Sequence, residues 1–285
     1  MGISVEIIEN SSEILANHSR DFLKKRSCAL ATVETMSEIV GLVSEVIFPG
    51  YLGDSGIVGG MLKNHIAINL EKIYNLLLDQ VDRALKFEEN CPLEQNSHQI
   101  AEQFIESITD IKSMLITDVE AMYKADPAAT SYGEVVFCYP SIVAMIHHRI
   151  AHRLYELKVP IIPRIISEIA HSKTGIDIHP AAQIGRYFAI DHGTGVVIGE
   201  TTIIGENVVI YQGVTLGAKG FRYDENGNII NIPRHPIIED NVKIYSNSSI
   251  LGRITVGHDS VIGGNVWIDC DVEPYSKIIQ AKETK

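Results

Sequence analysis

The carboxyl-terminal third of the chain carries an apolar residue at every sixth position. A period of six matches neither the 3.6-residue helical period nor the two-residue alternation of a strand. It predicts a parallel β-helix of hexapeptide repeats. In that fold each hexad forms one face of a triangular coil, and its first residue points into the prism. The inward positions, with a two-residue slip before Ile198 and a break before Ile238, are Ile178, Ile184, Ile190, Ile198, Ile204, Ile210, Leu216, Ile238, Ile244, Ile250, Val256, Ile262 and Ile268.

Two further positions of the repeat support the β-helix. Four residues after an inward residue comes a small or β-branched side chain, and the second position is often glycine, which tolerates tight corners. Ordinary short strands of a β-sandwich are the alternative, but thirteen hexads in register disfavour it. The small or β-branched residues are Thr194, Thr202, Val208, Val214, Val242, Ser248, Ser260 and Val266, and the glycines are Gly185, Gly199, Gly205, Gly217, Gly257 and Gly263.

The first 172 residues follow the helical period instead. Apolar residues at three- or four-residue spacing predict long amphipathic helices around 66–85 and 100–122. Proline in Asp126-Pro127 predicts the end of the second helix, and two shorter helices are predicted at 142–157 and from Pro163 to about Ser172.

The predicted fold class is therefore α + β. An N-terminal all-α helical domain (1–172) is followed by a C-terminal left-handed parallel β-helix with a long loop insertion (173–275). A short C-terminal tail (276–285) completes the chain.

Charge and composition narrow the function. The formal net charge of -12 and the pI of about 5.4 disfavour nucleic-acid binding, which needs a basic surface. Four scattered cysteines (Cys28, Cys91, Cys138 and Cys270) form no C-x-x-C pair and indicate reduced, buried thiols of a cytosolic protein. The amino terminus lacks the basic start and apolar centre of a secretion signal, and no apolar run approaches the length of a membrane span. The cytoplasm is the expected location.

Polar residues suited to chemistry lie where the repeats begin and in the long insertion. They occur in Asp177-Ile-His-Pro-Ala-Ala, in Ile190-Asp-His-Gly-Thr-Gly and in Arg234-His-Pro. One coil of three hexads takes eighteen residues, so we expect residues near 177, 191–192 and 234–235 to converge at one edge of the prism. The insertion between Leu216 and Ile238 must leave the prism as a loop, and such loops tend to carry function.

These segments, together with Asp126-Pro-Ala, resemble the motifs of serine O-acetyltransferases, which make O-acetylserine for cysteine synthesis. The resemblance covers residues from about 126 to 275. The repeats alone would indicate only a superfamily of acyltransferases. The resemblance implies transfer of acetyl from acetyl-CoA to the hydroxyl of L-serine.

The resemblance also implies roles for single residues. His192 would be the general base that takes the proton of the serine hydroxyl, and Asp177 would orient its imidazole. Asp126 and Asp191 would hold the substrate ammonium. Arg234, with His235 beside it, would bind the substrate carboxylate, since a guanidinium can do so with two parallel hydrogen bonds.

For acetyl-CoA the resemblance implies a groove between neighbouring prisms. The matching positions are Gly217 and Ala218 at the loop entry, Lys219 near a phosphate, and Ser246 and Gly264 further along. Acetyl-CoA is a co-substrate, so no permanently bound cofactor and no metal are expected.

Three other interpretations stay open at this point. A metal-dependent carbonic anhydrase on the same prism would need three convergent histidines, for which His192, His235 and His258 are the candidates. A transferase of the same superfamily could act on a sugar or on homoserine, although Arg234 and the paired acids favour an amino acid. A scaffold without enzymatic activity is the third, and the dyad of His192 and Asp177 argues against it.

Assembly and partners follow from the prism and from the resemblance. Packing three prisms about an axis buries their flat faces, so a homotrimer is expected, and a dimer of trimers through residues 1 to about 170 stays open. L-Cysteine should inhibit, because it carries the same ammonium and carboxylate as serine. Many family members end in a tail with a terminal isoleucine that enters O-acetylserine sulfhydrylase. Since this chain ends at Lys285, no tail-mediated complex is expected.

Overall fold

The computed structural model describes residues 4–17, 30–53, 59–87 and 96–280. The predicted helices at 66–85 and 100–122 are the central parts of two long helices, and the second of them ends directly before Asp126, as expected. The helices are α1 (Val5–Asn17), α2 (Val33–Ile47), α3 (Gly60–Phe87), α4 (Ser97–Ala125), α5 (Tyr132–Cys138), α6 (Pro140–Glu156) and α7 (Ile162–Thr174).

Local sequence explains where these helices begin and end. The side chain of Asn96 accepts a hydrogen bond from the backbone N–H of His98 and so caps the start of α4. Proline stands in the first turn of α6 and of α7, where a missing N–H costs nothing. Gly175 ends α7 in the left-handed conformation, with a φ of 69°. None of the helices within the described ranges is long and apolar enough to cross a membrane.

The carboxyl-terminal part is a parallel β-helix of fourteen short strands between residues 177 and 278. The strands are β1 (Asp177–Ile178), β2 (Gln183–Ile184), β3 (Ala189–Asp191), β4 (Val197–Ile198), β5 (Ile203–Ile204), β6 (Val209–Tyr211), β7 (Thr215–Gly217), β8 (Ile237–Ile238), β9 (Lys243–Ile244), β10 (Ser249–Leu251), β11 (Thr255–Val256), β12 (Val261–Ile262), β13 (Trp267–Ile268) and β14 (Lys277–Ile278). They form three parallel sheets, in the orders β1-β4-β7-β10-β13, β11-β8-β5-β2 and β14-β12-β9-β6-β3.

The period of six is confirmed, since all thirteen predicted inward residues are buried. The predicted position of the small or β-branched residue, four places after each inward residue, is followed less strictly. Thr194 is exposed, because the two-residue slip puts Val196 in the interior in its place. Corners that need a positive φ use asparagine at Asn207, Asn241 and Asn265, whereas none of the repeat glycines has a positive φ. The repeat glycines therefore serve close packing, and the expectation that they relieve tight corners was wrong.

The cysteines also differ from the expectation. Cys138 and Cys270 are free and exposed, so the prediction of buried thiols is wrong for both. Cys138 is the last residue of α5, and Cys270 lies in the turn after β13. Cys28 and Cys91 lie outside the described residues.

A buried ion pair joins the helices to the first coil of the β-helix. Arg149 on α6 donates from Nη2 to Asp118 Oδ1 across 3.0 Å and from Nε to Oδ2 across 3.1 Å. The same guanidinium donates to the carbonyl oxygens of Ile184 and Gly185, and Asp118 accepts the N–H of Phe188 at 3.3 Å. Both charges are paired and hydrogen-bonded, as burial requires. We call these two side chains the Asp118–Arg149 clamp; it fixes the segment that leads into β3.

Candidate functional site

The candidate residues of the β-helix lie along two edges of the triangular prism. The face between these edges is the sheet β1-β4-β7-β10-β13. The His192 edge consists of the turns at 192–196, 212–214, 245–248 and 263–266, and the His235 edge consists of the turns at 179–182, 199–202, 218–236 and 252–254.

His192 begins the first turn of the His192 edge. Its φ is 59°, in the left-handed region that non-glycine residues seldom adopt, and Gly193 and Gly195 follow with φ of 81° and 80°. A left-handed histidine costs on the order of 1–3 kcal/mol, and such strain concentrates at functional sites. The turn leaves the side chain 71% exposed, so the imidazole is accessible to a ligand.

Two carboxylates accompany His192. Asp191 Oδ1 lies 3.9 Å from His192 Nε2. Asp126, directly after α4, accepts the hydroxyl of Tyr139 at 2.5 Å and the N–H of Ala128 at 2.8 Å. Burial raises the pKa of Asp191, and the negative charge of Asp126 raises it further. The bond from Tyr139 holds the pKa of Asp126 below its usual value. A cation bound near both carboxylates would stabilise their ionised forms.

Asp177 stands at the start of β1, half-buried, on the face between the two edges. In the described part of a single chain it makes no hydrogen bond or ion pair with His192. Its charge acts instead on His179, the first residue of the His235 edge. The pairing of Asp177 with His192 therefore stays a prediction.

Arg234 lies on the His235 edge, close to the turn after β4. Its Nη2 donates to Glu200 Oε2 at 2.5 Å, and its Nη1 makes a long contact of 3.4 Å with Asn231. Among the described residues its Nε is buried and has no partner. A cleft of about 340 Å³ lined by Glu200, Thr201 and Asn231 opens beside it. The guanidinium thus keeps donor capacity for an anionic ligand.

His235 is held by Thr201. Its Nδ1 lies 3.1 Å from the backbone nitrogen of Thr201 and 2.9 Å from the threonine hydroxyl. The ring packs against Gly199, where any added Cβ would overlap with it. Burial, followed by the charge of Arg234, lowers the pKa of His235 to about 4.

The expected convergence at one edge of the prism is wrong within a single chain for Arg234 and His235. Asp177 does lie beside the turn of His192, since its N–H donates to the carbonyl of Val196 at 2.9 Å. His192 precedes β4, whereas Glu200 and Thr201, which bind Arg234 and His235, follow it. The chain passes one corner of the triangular coil per hexad, so His192 and Glu200, eight residues apart across the two-residue slip, lie at successive edges. One chain therefore carries two separate halves of the candidate site: Asp126, Asp191 and His192 at one edge, and Arg234 and His235 at the other.

The residues expected to bind acetyl-CoA divide in the same way. Ser246 and Gly264 lie on the His192 edge, one coil apart, and the N–H of Asn265 donates to the carbonyl of Ser246 at 2.9 Å. Gly217 ends β7, and Ala218 and Lys219 follow it on the His235 edge. Lys219 Nζ contacts Asp269 Oδ2 at 2.7 Å. Because both side chains are well exposed, this pair gives little stability and could yield to a phosphate.

The three histidines considered as metal ligands lie at three different edges. His258 follows β11 at the third edge, where it contacts Asp259 at 2.8 Å and the ring of Tyr275. Within the described ranges of one chain, no three His, Cys, Asp or Glu side chains are grouped as they would be around a metal ion.

Three residues of the candidate site were not expected from the sequence. Tyr139 contacts Asp126, and Glu200 and Thr201 hold Arg234 and His235. Glu200-Thr201 directly follows Gly199 in a turn of the β-helix, a place where polar residues normally face solvent. Because this dipeptide lies more than thirty residues from Arg234 in the sequence, no local sequence pattern indicates that they are in contact.

Comparisons with known proteins agree with this architecture. Residues 235–270 match the family described as bacterial transferase hexapeptide (six repeats). The chain is 45% identical over 282 residues to the protein named "Serine acetyltransferase, plasmid" of Synechococcus elongatus. The aligned region covers 95% of this chain and 88% of the relative. A crystal structure of Entamoeba histolytica serine acetyltransferase 1 in complex with L-cysteine superposes with a TM-score of 0.75 and 37% identity, over 96% of this chain and 97% of that one. A Neisseria gonorrhoeae serine acetyltransferase in complex with serine gives a TM-score of 0.56 and 26% identity, over 90% and 98%.

Proposed function

The chain belongs to the serine acetyltransferase family, and on that basis we propose that it transfers acetyl from acetyl-CoA to the hydroxyl of L-serine. The products are O-acetylserine and CoA. The observation that carries the proposal is the grouping of an exposed His192 with two carboxylates, Asp191 and Asp126. A base beside two anions suits an amino-acid substrate whose ammonium needs counter-charges.

His192 acts as general base in this proposal. As the serine oxygen attacks the thioester carbonyl carbon, its proton passes to the imidazole. The tetrahedral intermediate then expels the CoA sulfur, which takes the proton from the imidazolium and leaves as the thiol. The substrate supplies the nucleophile, so the protein needs none of its own. Asp177 keeps its predicted role of orienting the imidazole.

The two ends of serine are recognised by opposite charges. Its ammonium lies between Asp126 and Asp191, whose mutual repulsion a cation relieves. Its carboxylate binds Arg234, which Glu200 already orients and whose Nε has no partner among the described residues. Charge-assisted bonds of this kind are roughly twice as strong as neutral ones.

The halves of the site meet between subunits. In a homotrimer the His192 edge of one subunit faces the His235 edge of the next, which brings His192 of one chain to Arg234 of its neighbour. Acetyl-CoA then lies in the groove between the two prisms, with Ser246 and Gly264 on one wall and Gly217, Ala218 and Lys219 on the other. The separation of the halves within one chain supports this arrangement. A dimer of trimers through the helices stays open.

Subunit mixing tests the shared site directly. His192→Asn and Arg234→Ala chains, each defective alone, are co-expressed with different affinity tags and purified as mixed trimers. In each mixed trimer one of the three sites receives both intact halves, so activity returns to about one third of the wild-type level. Recovery no greater than the sum of the two single variants would show that each chain builds its own site.

Substrate choice is tested by release of thiol from acetyl-CoA. L-Serine, L-homoserine, L-threonine and a panel of sugars are compared at equal concentration. We expect serine to be preferred, because Arg234 and the two carboxylates select an amino acid and the position of His192 selects its hydroxyl. Faster turnover of a sugar would overturn the proposal.

L-Cysteine is the proposed inhibitor. It offers Asp126, Asp191 and Arg234 the same ammonium and carboxylate as serine, so inhibition is competitive with serine. Rates measured over a matrix of the two amino acids decide this, since inhibition that saturating serine leaves in place would contradict a shared site. The cytoplasm, where serine and acetyl-CoA are both available, is the proposed location.

A further inference from the structure

We propose that Thr201 is a positioning residue that fixes His235 as a neutral imidazole with its hydrogen on Nε2, for donation of one hydrogen bond to the carboxylate of the amino-acid substrate. The proposal rests on the proposed function for the identity of the ligand. The state of the imidazole itself follows from contacts within one chain.

The hydroxyl of Thr201 has only one direction left for its hydrogen. Its oxygen accepts the backbone N–H of Arg234 at 2.9 Å and the backbone N–H of His235 at 3.1 Å. These two bonds use both lone pairs of a hydroxyl oxygen. Its third contact, 2.9 Å to His235 Nδ1, must then be one in which Thr201 donates.

The backbone of Thr201 leads to the same conclusion. Its N–H also donates to His235 Nδ1, across 3.1 Å. A ring nitrogen that faces two donors cannot carry a hydrogen of its own, so Nδ1 is an acceptor. In a neutral imidazole the hydrogen is then on Nε2.

The surroundings also disfavour a charged ring. Within the described part of the chain, four ionisable side chains act on it: Arg234, Arg253 and His179 oppose protonation, and Glu200 favours it. Arg253 is close, since its Nη1 donates to the carbonyl oxygens of Thr201 and His235 at 2.7 and 3.0 Å. Burial has the largest effect, and together these influences lower the pKa of His235 to about 4. The imidazole thus stays neutral at the pH where a histidine base would work.

The Nε2 side of the ring is left available. Among the described residues nothing bonds Nε2, and this atom is not fully buried. Gly199 lies beside this part of the ring, and its lack of a side chain leaves the space that the ring occupies. A carboxylate held by Arg234 would find a second donor at the adjacent residue. That donor would orient the carboxylate without placing a second buried cation beside Arg234, and such a cation would need its own counter-charge.

The tautomer is measured by imidazole ¹⁵N resonances of the full enzyme, labelled at histidine, deuterated, and assigned with a His235→Gln variant. In the wild type we expect the pattern of a neutral ring with hydrogen on Nε2 from pH 8 to pH 5. Thr201→Ser keeps the hydroxyl and the pattern. Thr201→Val, of the same size, removes the hydroxyl donor and leaves only the longer backbone N–H bond of 3.1 Å, so a population with hydrogen on Nδ1 should appear. A hydrogen on Nδ1 in the wild type, or a charged ring at neutral pH, would overturn the proposal.

Kinetics test the effect on the substrate. Thr201→Val should raise KM for serine about two- to threefold, because only part of the population then has its hydrogen on Nε2, while KM for acetyl-CoA stays the same. Thr201→Ser should restore KM for serine. Loss of kcat with unchanged KM in Thr201→Val would contradict the positioning role. If serine proves not to be a substrate, the proposed function fails, but the ¹⁵N measurement still decides the tautomer.

Discussion

Tyr139 and Asp126 join the start of α6 to the end of α4 through one hydrogen bond of 2.5 Å. The phenol donates to the carboxylate that we assign to the substrate ammonium. The bond raises the pKa of Tyr139 to about 12 and is the largest cause of the lowered pKa of Asp126. Tyr139 therefore keeps Asp126 both ionised and oriented.

Replacing Tyr139 by phenylalanine tests this relationship. Without the hydroxyl the pKa of Asp126 rises, so the carboxylate loses its charge at a higher pH than in the wild type. We expect KM for serine to increase several-fold at pH 7 and its rise in acid to begin at a higher pH. Tyr132→Phe on α5 is the control, since its exposed ring packs on Tyr123 and, among the described residues, makes no hydrogen bond to Asp126. An unchanged acid limb would mean that Asp126 does not bind the substrate.

His192→Asn removes the base and keeps the backbone. Asparagine adopts the left-handed conformation more readily than most residues, so the turn at φ 59° should survive. Loss of a general base typically lowers turnover by about 10²- to 10⁴-fold, and we expect kcat to fall in that range. Circular dichroism and gel filtration verify the fold and the assembly. Near-normal turnover in a correctly assembled variant would remove His192 from the mechanism.

Arg234→Ala should mainly weaken serine binding. Its guanidinium contacts a part of the substrate distant from the reacting oxygen, so KM for serine should rise about 10- to 100-fold with a smaller change in kcat. Arg222→Ala is the matched control, because it removes an exposed arginine from the same loop. A change confined to KM for acetyl-CoA would assign Arg234 to the other substrate.

Breaking the Asp118–Arg149 clamp should cost stability. Asp118→Asn leaves a buried guanidinium without its counter-charge, and such a loss typically lowers the free energy of unfolding by about 3–5 kcal/mol. Glu168→Gln, which breaks the half-exposed pair with Arg164 on α7, is the control and should cost less than about 1 kcal/mol. Urea unfolding of both variants compares the two costs. Equal midpoints would show that the clamp adds nothing beyond an exposed pair.

Buried histidines on α6 should make the fold sensitive to acid. His147 is 4% exposed, donates to the carbonyl of Val143 at 2.7 Å, and burial lowers its pKa to about 4. Burial also lowers the pKa of His148, well below its usual value. Between the usual value near 6.5 and the folded value, the unfolded chain binds more protons than the folded chain. Stability therefore falls as the pH falls through this range.

His147 alone should lower the free energy of unfolding by about 2 kcal/mol between pH 7 and pH 5. His147→Asn keeps a donor for Val143 but does not titrate, so its unfolding should depend less on pH. His171→Asn, an exposed histidine on α7, should retain the wild-type dependence. Thermal unfolding at the two pH values gives the comparison. Parallel behaviour of wild type and His147→Asn would assign the acid sensitivity elsewhere.

The repeat could be predicted from the sequence because its information is local and redundant. Each inward residue recurs at a fixed spacing, and one slip before Ile198 does not hide the pattern. The site could not be assembled in the same way. Arg234 and Thr201 are thirty-three positions apart, and they meet only because the loop rejoins the prism beside the turn after β4. Counting eighteen residues per coil also placed Arg234 and His235 at the wrong edge of the prism. The count is interrupted by the two-residue slip before Ile198 and by the long insertion before Ile238.

The resemblance supplied residue types and roles, whereas the contacts between them come from the fold. Asp126, Asp191 and His192 do lie at one place, but Arg234 and His235 belong to another. Tyr139 carried no sequence signal, because a tyrosine before a proline at a helix start is ordinary. Its importance follows only from the distance to Asp126.

The clamp between α6 and the first coil has a consequence for how this chain could be divided or recombined. A cut near residue 172, where the hydrophobic pattern changes, would remove Asp118 and Arg149 together. It would leave the carbonyls of Ile184 and Gly185 and the N–H of Phe188 without the partners that now satisfy them. A fragment meant for fusion to another protein should therefore start before Thr117, with the second half of α4 kept. The structural unit that can be transferred to another protein thus begins inside α4, well before the first hexapeptide repeat.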